Sequence, residues 1–216
     1  MNEPLAELSP ADSKAMLHLV ADRIIGAEAE LSEADRRLGD GDHGLGMARG
    51  MNAAKAALDE LADDATVADT FSTMGRAMMS SMGGASGVVF GSLFSAGKKA
   101  LKEEVTFNTA GLAALLASAG ETVMKRGGAK VGAKTMLDAL IPAAEKAAEI
   151  KSLPLNEAAP IVATTGEEGR EASKAMIATM GRAKTLGEKS IGHPDAGACS
   201  VAIILRTIAD FAEGKA

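Results

Sequence analysis

Residues 38–50 have the sequence LGDGDHGLGMARG and separate two stretches in which apolar side chains recur at helical spacing. The upstream stretch carries Met16, Leu17, Val20, Ile24 and Ile25, and the downstream stretch carries Met47, Met51, Ala54, Leu58 and Leu61. Aspartates and glycines replace the apolar pattern between them, and such residues favour turns over helix interiors. The segment therefore predicts a turn between two long helices, the first ending at Gly39 and the second beginning after Gly44.

The same periodicity continues along the chain and predicts eight helices in all. Ser9 is expected to cap the first helix, with Pro10 at its first position. The third helix spans about residues 68–82, and the fourth follows the MGGASG segment of residues 82–87. Asn108 and Asn156 are expected to cap the fifth and seventh helices, and Pro142 is expected to kink the sixth. The eighth helix follows a loop at residues 187–198.

The composition favours an all-α protein. Aromatic residues make up only 2 % of the 216 residues, with no Trp or Tyr, whereas Ala, Leu and Met supply much of the 47 % hydrophobic content. These residues form helices readily, while strands favour aromatic and β-branched residues. Short connections favour antiparallel neighbours, so we expect one domain over residues 1–216, folded as a bundle or closed barrel of eight antiparallel helices.

Charge and cysteine content exclude several classes of protein. The net charge of −6 argues against nucleic acid as a partner, because phosphate contacts need a basic face. The single cysteine, Cys199, fits a reducing compartment. No basic segment followed by an apolar core is visible at the N-terminus, and no apolar run is long enough for a membrane span. We therefore expect a cytoplasmic protein that does not bind membranes.

Three aspartates around the central turn are candidate metal ligands. Asp40 and Asp42 are two residues apart, and the chain reversal is expected to bring Asp35 to the same point. Three carboxylates packed together repel one another unless cations neutralise them, and Mg²⁺ prefers carboxylate and phosphate oxygens. The spacing does not match a helix–loop–helix calcium site. A solvated acidic turn without metal remains the alternative.

Glycine-rich loops precede three of the predicted helices, at residues 39–46, 83–87 and 192–197. A helix N-terminus attracts anions, and glycine lets the backbone approach a phosphate closely. Together the three loops predict a nucleotide site. In the second loop Ser86 is expected to cap its helix and to contact an anion. Taken singly, each loop also fits an ordinary helix corner, and His43 alone also fits a packing residue.

Four stretches taken together resemble the nucleotide-binding L subunit of dihydroxyacetone kinase. They occur in the order found in that family, and the likeness covers about residues 10–210. The stretches are LGDGDHGLGMARG at 38–50, MGGASGVVFGSLF at 82–94, GAKTMLDALIPA at 132–143 and GRAKTLGEKSIGHPDAGA at 181–198. The resemblance implies a closed barrel of eight antiparallel helices with the nucleotide, ADP or ATP, held at one end.

The resemblance also implies the residues of the site. Asp35, Asp40 and Asp42 would bind two Mg²⁺ ions that bridge the nucleotide phosphates, and with His43 they are the candidate catalytic residues. The candidate nucleotide-binding residues are His43, Gly44, Leu45, Gly46, Ala85, Ser86, Gly127, Met136, Arg182, Asp195, Ala196 and Gly197. The chain departs from the family pattern at Leu45, Gly46, Ala133, Lys189 and Ala196, and these departures are expected to alter nucleotide affinity.

The implied function is that of one kinase subunit. The resemblance implies phosphoryl transfer to dihydroxyacetone or a related short-chain ketose held on a separate K-type subunit. The donor is either ATP or a phosphotransferase-system protein that rephosphorylates bound ADP, and a homodimer is also expected. The alternative is a non-catalytic, nucleotide-binding regulatory module that binds a transcription regulator. A plain helical scaffold with acidic turns is a third interpretation.

Overall fold

A computed structural model describes residues 3–215, except for the side chain of Ala85. Within this part of the chain it contains ten α-helices, two 3₁₀ segments and no strand beyond the isolated bridge between Leu8 and Phe107. The helices are α1 (Pro10–Gly26), α2 (Glu28–Arg36), α3 (His43–Asp59), α4 (Val67–Ser81), α5 (Gly84–Ser95), α6 (Gly97–Ala100), α7 (Thr109–Gly127), α8 (Leu137–Glu149), α9 (Leu155–Ala172) and α10 (Ala196–Ala212). The all-α prediction is confirmed.

The helix count differs from the predicted eight because two predicted helices are each interrupted by one residue. Ala27, with φ −90° and ψ 6°, separates α1 from α2. Ala96 separates α5 from the short α6. The apolar spacing continues across both interruptions, and therefore periodicity alone does not reveal them.

The helices pack as a closed ring around one core. Along the chain, α3, α4, α5, α7, α8, α9 and α10 each pack against the next, and α1 packs against both α3 and α10. The apolar core runs through the whole ring, from Leu8 near the N-terminus to Ala212 at the end of α10. This arrangement leaves the ends of the helices, and hence their connections, at two opposite ends of the ring.

Side-chain caps mark four of the ten helix starts, those of α1, α4, α7 and α10, and the cap predicted for α9 is wrong. Ser9 and Asp12 form a reciprocal capping box at α1, and Asn108 caps α7 as predicted. The predicted cap at Asn156 is wrong: α9 begins at Leu155, whose N–H donates to the Ala6 carbonyl, and the helix continues through Pro160. A backbone partner from a distant segment replaces the side-chain cap. The helix α8 also contains Pro142 without a break, and the kink expected there stays a prediction.

The N-terminal segment closes one end of the ring. Leu8 and Phe107 exchange backbone hydrogen bonds of 2.8 and 2.7 Å, and both side chains are fully buried. The Leu5 N–H donates to the carbonyl of Ala212. The connections α2–α3, α4–α5, α7–α8 and α9–α10 surround a cavity that lies away from this segment. Across residues 3–215, no helix combines the length and the apolar character needed to cross a bilayer.

Candidate functional site

The three predicted metal ligands converge. Asp35 lies in the last turn of α2, and Asp40 and Asp42 lie in the turn before α3. The Gly41 N–H (2.9 Å) and the His43 N–H (3.3 Å) donate to Oδ2 of Asp35, which folds the turn back onto the helix. One carboxylate oxygen from each aspartate lies within 4.8 Å of the others. Chain reversal therefore brings Asp35 to the pair, as its place in the sequence predicts.

Two glycines give the acidic turn its shape. Gly41 has φ +80°, a conformation that side-chain-bearing residues rarely adopt. Gly44 lies in the first turn of α3, where a Cβ would overlap the Glu28 carbonyl oxygen and lie 2.8 Å from the Ser32 nitrogen. Gly44 thus lets α3 pack closely on α2. The sequence predicted this residue at the nucleotide, but it is buried between helices and does not line the cavity.

His43 combines packing with a place at the cavity wall. Its ring is 8 % exposed, lies 5.6 Å from the Phe90 ring between centroids, and has Nε2 2.9 Å from Ser200 Oγ. Burial lowers the pKa of the imidazole, while the carboxylates of Asp35 and Asp42 act in the opposite direction. The contact with Ser200 connects the start of α3 to α10.

The cavity has a volume of about 640 Å³, within the range of about 300–1,000 Å³ typical of small-molecule sites. Its wall contains most of the residues that the sequence predicted. These are Asp35, Asp40, Asp42, His43, Leu45, Gly46, Ser86, Met136, Arg182, Asp195, Ala196 and Gly197. Gly127 is not among them. It is exposed and ends α7, and only residues 134–136 of the loop that follows reach the cavity. The predicted role of the Ala85 side chain lies outside the part that the structure describes.

Three helices begin at the cavity wall. They are α3 at His43, α5 at Gly84 and α10 at Ala196. Each helix start presents unpaired N–H groups and a partial positive charge, so their convergence favours an anionic ligand. Ser86 is the third residue of α5, which starts earlier than predicted after the positive-φ Gly83. Ser86 therefore does not cap this helix, although it lines the cavity.

Two arginines also reach this wall. Arg182 forms an ion pair with Asp40, and its side chain is 71 % exposed. Arg49, which the sequence analysis did not select, donates from Nε to the Ser81 carbonyl at 2.9 Å and from Nη2 to that of Met82. It therefore fixes the end of α4 to α3. The only sequence signal was its place in the GMARG end of the acidic motif.

A cluster of charged residues at the cavity wall was predicted only in part, through Asp195. Lys134 is 2 % exposed, and Asp138 accepts hydrogen bonds from the N–H groups of Gly132 (2.5 Å) and Thr135 (2.7 Å). Asp195 caps α10 through the Ala198 N–H at 2.8 Å. Burial raises the pKa of Asp195 to about 7 and lowers that of Lys134. A lysine and an aspartate four residues apart in GAKTMLD were the available signal.

The fold and the site define an all-α protein with a carboxylate cluster at a cavity where helix N-termini converge. Residues 37–210 match the model of the DAK2 domain, and the chain belongs to this family. The resemblance stated from the sequence is thereby confirmed.

Several relatives share this domain. The chain is 40 % identical to the PTS-dependent dihydroxyacetone kinase ADP-binding subunit DhaL of Lactococcus lactis, over 84 % of this chain and 86 % of that subunit. It is 38 % identical to the ADP-binding subunit DhaL of the PEP-dependent dihydroxyacetone kinase 1 of Listeria innocua, over 82 % and 84 %. A D-erythrulose kinase of Mycolicibacterium smegmatis is 37 % identical over 95 % of this chain, which spans only 37 % of that enzyme.

Solved structures share the fold. The dihydroxyacetone kinase of C. freundii superposes with a TM-score of 0.70 at 24 % identity, covering 97 % of this chain and 36 % of the other. The structure of that kinase in complex with AMP-PNP and Mg²⁺ gives a TM-score of 0.68 at 25 % identity, covering 97 % and 35 %. The chain thus spans about a third of the length of the larger kinases and most of the length of the separate subunits.

Proposed function

We propose that this chain is the nucleotide- and Mg²⁺-binding subunit of a kinase that phosphorylates dihydroxyacetone or a related short-chain ketose. The observation that carries the proposal is the cluster of Asp35, Asp40 and Asp42 at a cavity bounded by three helix N-termini. The names of the relatives, ADP-binding subunits and erythrulose kinases among them, supply the substrate class.

The carboxylate cluster fits Mg²⁺ in its donor chemistry. Carboxylate oxygens are hard ligands that Mg²⁺ prefers, and the partly exposed Asp40 and Asp42 face the cavity where phosphate oxygens and water would complete the coordination. Two Mg²⁺ ions, when bound, would neutralise the phosphate charge that develops during transfer. Asp35 is oriented by two backbone N–H groups, which leaves its other oxygen available.

The other residues of the wall would bind and orient the nucleotide. The helix starts at His43, Gly84 and Ala196 would offer backbone N–H groups to a phosphate, apart from the His43 and Ala198 N–H groups, which donate to Asp35 and Asp195. Phosphoryl transfer depends mainly on such positioning and charge stabilisation. Arg182, held at Asp40 by charge alone and largely exposed, would be free to contact a phosphate once cations neutralise that carboxylate. Met136 supplies an apolar surface for the base or ribose.

The acceptor ketose would be held on a separate K-type subunit. The chain corresponds to the ADP-binding part of its relatives, and the D-erythrulose kinase that contains a matching region is much longer. We favour ADP as a resident cofactor, rephosphorylated by a phosphotransferase-system protein, because two separate subunits of similar length carry PTS- or PEP-dependent names. ATP as the direct donor is the alternative. A cytoplasmic location and a homodimer belong to the same proposal.

A coupled kinase assay with the matching K-type subunit tests this function. Dihydroxyacetone, D-erythrulose and L-erythrulose would be offered with either ATP or a phosphoenolpyruvate-driven phosphotransferase mixture. We expect phosphorylated ketose only when both subunits and Mg²⁺ are present. Full activity of the K-type subunit without this chain would contradict the proposal. Turnover with free ATP alone, by a chain that loses ADP on dialysis, would overturn the cofactor assignment.

A non-catalytic regulatory module is the second candidate. The exposed Leu45 at the cavity mouth, 56 % exposed, favours a contact surface there. The clustering of all three carboxylates opposes this candidate, because a site without catalysis has no need to keep them together. Nucleotide binding without any phosphoryl transfer in the coupled assay would favour the regulatory function.

A further inference from the structure

Lys134 occupies an unusual position in the cavity wall. It is the one residue other than glycine with positive φ among those described, with φ +60°. A side chain makes this conformation costly, and such a residue persists only where its surroundings hold it in place. Lys134 is also almost fully buried, although lysine is seldom buried without partners.

The hydrogen bonds of its ammonium group explain why Lys134 can be buried. Nζ donates to the carbonyl oxygens of Ser173 (2.7 Å), Met176 (3.2 Å) and His193 (2.7 Å). A lysine ammonium has three donors, and all three have an acceptor here. The carboxylates of Asp195 and Asp138 add favourable charge nearby. The group is therefore fully satisfied without any ligand.

The three carbonyls belong to the two ends of one segment. Residues 173–195 form the α9–α10 connection, which contains no α-helix and includes glycines with positive φ at 181, 187 and 192. Ser173 and Met176 lie near its start, and His193 lies near its end. The ammonium thus joins both ends of the connection to the 132–136 loop, and the Gly192 N–H, which donates to the Lys174 carbonyl at 2.7 Å, also links the two ends. The Thr179 N–H adds a 3.2 Å hydrogen bond to the Ala133 carbonyl.

The α9–α10 connection supplies a large part of the cavity wall. Met180, Gly181, Arg182 and Ala183 line the cavity from its middle, and Asp195 lines it where α10 begins. Thr135 and Met136, directly after Lys134, line the adjoining wall. The same ammonium therefore fixes the relative positions of two walls.

We propose that Lys134 is a positioning residue whose ammonium holds the α9–α10 connection against the 132–136 loop, so that the nucleotide-binding wall is formed before the ligand arrives. The inference rests on the proposed nucleotide site for its functional consequence. Its structural consequence, the order of the α9–α10 connection, does not depend on any ligand.

Amide hydrogen exchange of the full chain without nucleotide tests the structural consequence. Lys134→Met keeps the length and apolar stem but removes the donors and the charge. We expect exchange in residues 174–192 to rise about tenfold or more, since a buried hydrogen bond to a charged group is lost, while α3 and α4 exchange as before. Lys55→Met is the control, because Lys55 pairs with Asp22 away from the cavity. Unchanged exchange in residues 174–192 would overturn the proposal, as would an equal rise throughout the protein.

Chemical rescue tests the functional consequence. Lys134→Ala should weaken binding of ADP with Mg²⁺ about tenfold or more, and n-propylammonium, which replaces the atoms removed beyond Cβ, should restore part of it. Tetramethylammonium, which has no N–H donor, should not. Loss of affinity without rescue would contradict a role for the ammonium itself. If the wild-type chain binds no nucleotide, the proposed function fails, while the exchange measurement still decides whether Lys134 holds the connection.

If circular dichroism shows that Lys134→Met does not fold, Lys134→Gln serves as a milder variant for the same measurement. Lys134→Gln retains an amide that can donate to two of the three carbonyls but carries no charge. We expect exchange in residues 174–192 to lie between that of the wild type and that of a fully exposed peptide. Exchange identical to wild type in this variant would overturn the proposal.

Discussion

The acidic turn of residues 35–43 and the Lys134 cluster, which consists of Lys134, Asp138 and Asp195, form two walls of one cavity. The hydrogen bonds that hold them join residues at very different separations along the chain. In the acidic turn, Asp35 accepts hydrogen bonds from residues six and eight positions later. In the cluster, Lys134 bonds to carbonyls that lie 39 to 59 positions later. The acidic turn involves only α2 and α3, whereas the cluster joins the 132–136 loop to both ends of the α9–α10 connection.

This difference indicates that the two regions have different roles in the site. The acidic turn carries the groups that would contact cations and phosphates directly, and these are partly exposed. Lys134 and Asp138 are buried, and the hydrogen bonds of the cluster are made within this chain. Substitutions in the acidic turn should therefore abolish phosphoryl transfer and leave the fold intact. Substitutions in the cluster should instead change the order of the α9–α10 connection and the affinity for nucleotide.

Asp40→Ala is expected to have the largest effect. It would remove a proposed cation ligand and does remove the partner of Arg182, and phosphoryl transfer should fall about a thousandfold or more, because cation-based charge stabilisation contributes several kcal/mol. The coupled kinase assay measures this, and circular dichroism should show an unchanged fold. Asp64→Ala, at an exposed position in the α3–α4 connection, is the matched control. Transfer at the wild-type rate in Asp40→Ala would refute the metal assignment.

Gly44→Ala should have the next largest effect and should act on stability. The added methyl group meets backbone atoms of Glu28 and Ser32 in α2, which cannot move aside easily, so the free energy of unfolding should fall by about 1–3 kcal/mol. Gly46→Ala is the control in the same helix. Apart from its own stretch of helix, no atom lies within 4 Å of its added methyl group, and alanine should stabilise the helix by up to about 1 kcal/mol. Urea unfolding of both variants gives the comparison. Equal stability in the two variants would contradict the close contact between α2 and α3.

Asp195→Asn should change how the stability of the fold depends on pH. In the folded protein burial raises the pKa of Asp195 to about 7, above the value of about 3.9 for an unfolded chain. The folded state therefore holds a proton that the unfolded state releases, and this stabilisation is lost as the pH rises from about 4 to about 7.

The asparagine variant cannot ionise but retains an oxygen to cap α10. Its unfolding free energy should therefore fall less steeply with pH than that of the wild type, by up to about 1.4 kcal/mol per pH unit. Urea unfolding at several pH values, without nucleotide, measures the two slopes. Parallel curves would show that Asp195 ionises normally, with Lys134 compensating for its burial.

The acidic side of the site could be predicted because its parts are close in sequence. The spacing of Asp35, Asp40 and Asp42, together with the glycine between the last two, was enough to place three carboxylates at one point. Helix starts with side-chain caps, such as Ser9, were predictable for the same reason. The packing of Gly44 against α2 was not predicted, because glycine near a phosphate and glycine between two helices look alike in sequence.

The contacts of Lys134 could not be predicted from residues that are close in sequence. Nothing near Lys134 in the sequence shows that it will adopt positive φ or that carbonyls of residues 173–193 will surround it. The start of α9 was misplaced for a similar reason, since the carbonyl that bonds to Leu155 belongs to Ala6. The interruptions at Ala27 and Ala96 leave the apolar periodicity unchanged. These features depend on contacts between distant segments.

Calorimetric titration of the full chain with ADP, in the presence of Mg²⁺ and then of EDTA, tests the central claim most directly. Nucleotide that has co-purified would first be removed by denaturation and refolding, with the recovered fold checked by circular dichroism. If Asp35, Asp40 and Asp42 hold the cations that bridge to the phosphates, affinity should drop about a hundredfold or more without Mg²⁺, and Asp42→Asn should show the same loss even with Mg²⁺. Equal affinity for ADP in Mg²⁺ and in EDTA would contradict the account.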